Sequence, residues 1–150
     1  MKTLVFDMDG TFVDLYNVNG WLEMLRAENT IPYLTAHPMY DMDTFNTLLG
    51  ILKDCGWHIV ITTWLSKNSS KDFENKTRKA KLAWLKKYNV PYDEIHMVSY
   101  GTDKASCTSD LGGFQILFDD NADIRKLWNL GKAVDANQNL LEKLADLIIG

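Results

Sequence analysis

Two aspartates lie two residues apart in Asp7-Met8-Asp9-Gly10-Thr11, directly after the first apolar segment of the chain. Carboxylates with this spacing can converge on one cation, and a hard cation such as Mg²⁺ prefers oxygen ligands. When a phosphate group binds the same cation, one carboxylate can attack phosphorus while the other transfers a proton. The pattern therefore predicts metal-assisted chemistry on a phosphate ester. An Asp-Gly turn that caps a helix is the alternative interpretation.

The elements that must position these residues are strands and helices in alternation. Short apolar segments rich in strand formers predict buried strands at 3–6, 58–62, 95–98, 114–118 and 132–134. Helical periodicity covers the intervening segments 45–52, 73–88 and 124–128 and the final segment 140–148. This alternation predicts an α/β fold of three layers, in which helices cover both faces of a Rossmann-like parallel sheet. Ligands of such sheets bind beyond the carboxyl ends of the strands, which is where Asp7 lies.

The Asp-x-Asp-Gly-Thr pattern after a hydrophobic strand resembles the first motif of the haloacid dehalogenase (HAD) superfamily. The resemblance implies a HAD-like fold and a Mg²⁺-dependent phosphatase reaction through an aspartyl phosphate. By the same resemblance Asp7 is the nucleophile, and Asp9 is the general acid and base. The metal ion would be held by Asp7, by Asp9, partly through its backbone carbonyl, and by a later acidic residue.

Two further motifs of the superfamily have counterparts in the chain. The second motif is a strand that ends in Thr or Ser, and Thr62 is the predicted residue here, with Thr63 as the next choice. A hydroxyl at this place can hydrogen-bond a phosphate oxygen without adding charge. The third motif is a lysine that steadies the nucleophile and the phosphoryl group, and Lys104 matches it. A compact point charge suits that task, although a solvated surface lysine is the alternative.

The fourth motif is a strand followed by acidic residues, here Asp119 and Asp120. Adjacent carboxylates at the end of a buried strand repel each other, and a divalent cation offsets this repulsion best. We expect Asp119 to bind the metal directly and Asp120 to bind it through water or to orient Lys104. Asp123 is an alternative acidic ligand, or it caps the helix that begins near it.

Composition places the chain among ordinary globular proteins. Its 150 residues are 46% hydrophobic and 24% charged, so residues 1–150 are expected to form one catalytic domain. No apolar segment approaches the ~20 residues of a membrane helix, so a cytoplasmic protein without membrane contact is expected. The two cysteines lack Cys-x-x-Cys spacing, and no zinc site is predicted.

Two segments depart from this simple pattern. Residues 13–40 interrupt the alternation and are predicted to be a minimal cap insertion near the site, with a short helix around 21–28 and then an irregular stretch containing Pro32 and Pro38. Segment 67–87 is rich in basic residues, and we interpret it as a solvated helix whose apolar stripe, Phe73, Ala80, Trp84 and Tyr88, packs inward. Trp21 and Trp64 can stack on a planar group at the mouth of the site or fill the core.

Three functions compete at this point. The first is a phosphatase acting on a small phosphorylated substrate such as a nucleotide, as in small 5'-nucleotidases. The second is a nucleic-acid 3'-phosphatase, because segments 41–84 and 119–128 also resemble the phosphatase part of phage polynucleotide kinases. The net charge of −4, however, argues against a general nucleic-acid binder. The third is a receiver-type signalling domain without enzyme activity. A receiver carries its phospho-acceptor Asp after the third strand, where this chain has Val98-Ser99-Tyr100, so this alternative is disfavoured.

Overall fold

A computed structural model describes residues 1–137 and 139–150. Its strands are β1 (Lys2–Phe6), β2 (Trp57–Trp64), β3 (Glu94–Val98), β4 (Phe114–Asp119) and β5 (Gly131–Asp135). They form one all-parallel sheet in the order β3-β2-β1-β4-β5. The Rossmann-like α/β fold predicted from the sequence is thereby confirmed, and β1 lies at its centre.

Helices connect the strands and surround the sheet. They are α1 (Trp21–Arg26), α2 (Ile31–Thr35), α3 (Met42–Asp54), α4 (Lys71–Lys87), α5 (Ala105–Thr108), α6 (Ala122–Leu127) and α7 (Leu140–Ile149), with 3₁₀ turns at Leu15–Asn17 and Ser109–Leu111. The four segments with helical periodicity and the short helix after Trp21 are confirmed. The stretch around Pro32 was predicted to be irregular, and this was wrong. Pro32 lies in the first turn of α2, where a missing N–H costs the helix nothing. Within the described residues no helix is both long enough and apolar enough to cross a membrane.

The central strand is buried on both of its faces, which explains its continuous apolar sequence. On one face Leu4 and Phe6 join the main core with residues of α3 and α7. The ring of Phe6 stacks on that of Phe118 at 4.9 Å between centroids. On the other face Val5 packs in a second cluster with Val60 and Leu117. Tight packing on both sides holds the end of β1 in place, and with it the residues that follow.

The strand register brings three predicted site residues to one level. Phe6 pairs with Ile61 of β2 and with Phe118 of β4. The next residues along these three strands are Asp7, Thr62 and Asp119. All three therefore lie at the carboxyl edge of the sheet, the edge at which parallel α/β folds bind their ligands.

Segment 13–40 packs against α4. Leu15 and Tyr33 of this segment form a third apolar cluster with Phe73 and Ala80. The carboxylate of Glu28 also accepts hydrogen bonds from the backbone N–H and the hydroxyl of Ser70, the residue that caps the N-terminus of α4. The segment is thus fixed to α4 through both apolar and polar contacts.

Candidate active site

A cavity of about 530 Å³ opens at the carboxyl edge of the sheet. Its floor carries acidic residues and a lysine: Asp7, Asp9, Lys104, Asp119 and Asp120. Segment 15–33 supplies one wall, and segment 63–69 after β2 supplies another. The insertion that was predicted to lie near the site therefore does line it.

Lys104 joins two of the predicted acidic residues. It lies just before α5 and is 3% exposed, and its ammonium group donates hydrogen bonds of 2.8 Å to Asp7 Oδ1 and to Asp119 Oδ2. Burial opposes the charged form of Lys104, but the charges of Asp7 and Asp119 outweigh burial and raise its pKa. Thr11 donates to the other oxygen of Asp7 at 3.1 Å. The carboxylate of Asp7 is therefore held from two sides, while 7% of the residue stays accessible from the cavity.

Three carboxylates converge beside this lysine. One oxygen each from Asp7, Asp119 and Asp120 lies within 4.8 Å of the others. Burial, followed by the charge of Asp7, raises the pKa of Asp119, and the same causes raise the pKa of Asp120 to about 8. Burial and mutual repulsion thus favour protonation of this cluster, and the single lysine does not fully offset them. Asp123, the alternative acidic ligand, is exposed, and Asn121 rather than Asp123 caps α6.

The turn after Asp9 brings the chain close to this acidic cluster. Gly10 has φ +83°, in the left-handed region that favours glycine. A Cβ atom at Gly10 would collide with the carboxylate of Asp120 and with the ring of Tyr16. Gly10 is therefore needed both for its positive φ and for its lack of a side chain.

Asp9 lies next to the cluster but its carboxylate contacts a different lysine. Lys81 of α4 donates to Asp9 Oδ2 at 3.0 Å, to the hydroxyl of Thr63 at 2.6 Å and to the carbonyl of Trp64 at 2.9 Å. Burial raises the pKa of Asp9, and Lys81 opposes this rise. The side chain of Asp9 is not part of the group of three converging carboxylates, so an Asp9 contribution to a metal site would come through its backbone, as the resemblance implied.

Thr62 and Thr63 occupy different environments. The hydroxyl of Thr62, the predicted residue, is fully buried and has no hydrogen-bond partner among the described residues. Thr63 lines the cavity and contacts Lys81. Successive side chains of a strand point to opposite faces, so only one of the two can face this lysine. Thr63, the next choice, therefore lines the cavity, whereas Thr62 is buried away from it.

Lys81 was missed by the sequence analysis, which placed the charges of α4 in solvent. It is 1% exposed, so that interpretation was wrong for this residue. The signal was its helical spacing: Lys81 lies four residues after the buried Thr77 and three before the buried Trp84. A lysine on the apolar stripe of a helix must find a partner, and the acidic motif supplies one.

Aromatic side chains line the upper part of the cavity. Trp21 and Tyr16 meet edge to face at 5.0 Å, and Trp64 and Tyr100 meet at 4.9 Å. The indole N–H of Trp64 donates to the carbonyl of Thr102, which fixes the ring. Of the two positions considered for Trp21 and Trp64, the mouth of the site and the core, the structure places both at the cavity. Planar apolar faces therefore surround an acidic floor.

The chain is thus a Rossmann-like α/β protein with an acidic cluster and a buried lysine at the carboxyl edge of its sheet. No protein-family model and no curated protein matches it. Solved structures do. Over 89% of this chain, a chain of the Pnkp1/Rnl/Hen1 complex superposes with a TM-score of 0.61 at 19% sequence identity. A chain of the Pnkp1/Rnl/Hen1 RNA repair complex does so with a TM-score of 0.59 at 16% identity, again over 89% of this chain. The match covers 45% and 42% of those chains, less than half of either, and at such identities it shows a shared fold.

Proposed function

We propose that this protein is a Mg²⁺-dependent phosphatase of the HAD type that hydrolyses phosphate monoesters. One observation carries the proposal. Lys104 bridges Asp7 and Asp119 beside Asp120, at the carboxyl edge of a parallel sheet and on the floor of a cavity. Carboxylates buried together with a lysine cost free energy, and a cleft that gathers them is a reasonable place for catalysis.

The residues present fit a magnesium ion. Three carboxylate oxygens from Asp7, Asp119 and Asp120 lie within 4.8 Å of one another, and hard oxygen donors of this kind suit Mg²⁺. Burial and the charge of Asp7 raise the pKa values of Asp119 and Asp120, and a cation bound at the cluster would favour their ionised forms. A bound Mg²⁺ would neutralise charge on the substrate phosphate and on these carboxylates.

Asp7 is the proposed nucleophile. Hydrogen bonds from Lys104 and Thr11 fix its carboxylate, so its orientation is set before the substrate binds. A carboxylate oxygen forms a bond to phosphorus as the ester P–O bond breaks, which gives an aspartyl phosphate. The ammonium group of Lys104 and the hydroxyl of Thr63 are the proposed donors to the phosphoryl oxygens.

Asp9 is the proposed general acid and base. It lies two residues after Asp7, and burial raises its pKa, which favours a carboxyl group that can donate a proton. Asp9 gives its proton to the leaving alcohol oxygen in the first step. In the second step it removes a proton from water, which attacks phosphorus and releases inorganic phosphate and Asp7.

The walls of the cavity favour a nucleotide as substrate. A volume of about 530 Å³ exceeds the needs of a phosphate group alone, and aromatic faces suit a planar base. A nucleic-acid 3'-phosphatase is the second candidate. It is favoured by the fold shared with a chain of an RNA repair complex, and an end of a nucleic acid would present the same phosphate and bases.

The test is phosphate release from nucleoside 5'-monophosphates, 3'-phosphorylated oligonucleotides, sugar phosphates and 4-nitrophenyl phosphate, each with Mg²⁺ and with EDTA. We expect release that needs Mg²⁺, and the preferred member distinguishes the two candidates. Asp7→Asn should abolish release while circular dichroism stays unchanged, and Asp54→Asn, a change at an exposed aspartate, should retain full activity. Release by Asp7→Asn at the wild-type rate would refute the mechanism. Transfer of a phosphate group to the protein without turnover would favour the receiver-type alternative.

A further inference from the structure

Lys81 is a buried lysine whose contacts connect several parts of the site. Each of its three N–H groups has an acceptor: the carboxylate of Asp9, the hydroxyl of Thr63 and the carbonyl of Trp64. Its ammonium group also lies 5.0 Å from the ring centroid of Tyr33, a residue of α2 in the insertion. One side chain thus joins α4, the end of β2, the turn after β1 and the insertion.

The fold alone does not require a charge at this place. Lys81 lies on the apolar stripe of α4, where an unbranched apolar side chain of similar length would also pack. Replacing buried ion pairs by apolar groups is often neutral or stabilising, because the desolvation of two charges offsets their attraction. A contribution to the chemistry explains the lysine better than a contribution to stability.

The contact geometry leaves Asp9 able to react. Lys81 binds Oδ2 of Asp9, and among the described residues no group donates a hydrogen bond to Oδ1. Asp9 lines the cavity, whereas Lys81 is 1% exposed and does not line it. Lys81 therefore does not contact a substrate in the cavity, but it can set the orientation of the carboxyl group of Asp9.

We propose that Lys81 is a positioning residue that holds the carboxyl group of Asp9 in its reactive orientation. The inference rests on the proposed phosphatase function. In the first step the proton of Asp9 passes from Oδ1 to the leaving oxygen, while the bond from Lys81 to Oδ2 keeps the group from turning away. Without Lys81, Asp9 can still donate a proton, but its carboxyl group is no longer held in the orientation that the transfer needs.

The experiment compares two substrates with different leaving groups. Alkyl phosphates have poor leaving groups and need a proton from Asp9, whereas 4-nitrophenyl phosphate has a good leaving group and needs little help. We expect Lys81→Met to lower kcat for an alkyl phosphate about 100-fold, the usual size of a general-acid contribution, with little change in KM. For 4-nitrophenyl phosphate the loss should stay below about 10-fold. Lys79→Met, an exposed lysine of the same helix, should change neither rate.

The ratio of the two rates, measured on one preparation, does not depend on how much of the protein is folded. Equal losses for both substrates, or no loss, would overturn the inference. If Lys81→Met does not fold, Lys81→Gln, which keeps an N–H donor, replaces it under the same criterion. A wild-type protein inactive on both substrates would reject the proposed function and this inference with it.

A double-mutant cycle tests whether Lys81 acts through Asp9. If it does, adding Lys81→Met to Asp9→Asn should lower alkyl phosphate hydrolysis by less than about 3-fold further, because residues that act as a unit are not additive. A further loss as large as the one in the wild-type background would show that Lys81 acts independently of Asp9, and the inference would fail.

Discussion

The metal-free protein should lose stability as the pH rises from about 5 to 8, because Asp120 must give up a proton inside an acidic cluster. Burial and the charge of Asp7 raise the pKa of Asp120 from 3.8 to about 8. Between these values the native state keeps a proton that the unfolded state has released. Stability then falls with pH, since the unfolded state binds fewer protons. The contribution is complete below the unfolded pKa and is lost as the pH passes through the folded pKa.

The size of the effect follows from the pKa shift. One proton changes the free energy of unfolding by at most about 1.4 kcal/mol per pH unit, so the ceiling is about 6 kcal/mol over the whole interval. Asp120 keeps some contact with solvent, which screens its charge, and we expect ~2 kcal/mol. A loss of this size is measurable in a domain whose total stability is about 5–15 kcal/mol.

The assay is urea unfolding in EDTA at pH 5.5, 7 and 8.5, repeated with excess Mg²⁺. The free energy of unfolding should fall with pH in EDTA, and Mg²⁺ should reduce the fall because the cation replaces the proton. Asp120→Asn cannot ionise, so at pH 8.5 in EDTA it should be more stable than the wild type by ~2 kcal/mol. A wild-type stability that is flat or rises between pH 5.5 and 8.5, or an Asn variant with the same slope, would refute the reasoning.

Four further substitutions have expected outcomes. Lys104→Met leaves two buried carboxylates without their cation and should cost ~3 kcal/mol in urea unfolding with EDTA, part of which Mg²⁺ should restore; no cost would contradict the bridge. Gly10→Ala places a Cβ against the carboxylate of Asp120 at a residue with φ +83°. It should lower the free energy of unfolding by ~2 kcal/mol and weaken the thermal shift that Mg²⁺ produces. Wild-type values for both would contradict the predicted collision. Thr63→Val should lower kcat about 10-fold. Thr62→Val should keep wild-type kcat and stability, because the hydroxyl of Thr62 has no hydrogen-bond partner to lose. A larger loss of kcat in Thr62→Val than in Thr63→Val would assign the contact with phosphate to Thr62.

Local sequence was enough to predict the sheet and the ends of its strands. An apolar segment such as 114–118 can only be a buried strand in a chain of this pattern, and polar residues that follow it must lie at the carboxyl edge. For this reason Asp7 and Asp119 meet in the structure as expected, and so does Lys104. The apolar spacing of α3 and α4 was also visible, because helical periodicity is a local property, although α3 extends beyond the predicted segment 45–52 at both ends.

Tertiary structure decided the choices between neighbours. Nothing in the order of residues distinguishes Thr62 from Thr63, because the choice depends on which face of β2 meets α4. Asp120 rather than Asp123 joins the cluster because α6 begins after Asn121 and carries Asp123 into solvent.

The burial of Lys81 was likewise a tertiary result. A helical wheel places this lysine on an apolar stripe, but only the packing of α4 against β2 and the insertion shows that the stripe meets Asp9. Charge and periodicity are properties of one segment. Asp9, the partner that makes the buried charge of Lys81 tolerable, lies 72 residues away in the chain. The sequence around Lys81 therefore does not show that the two residues meet in the fold.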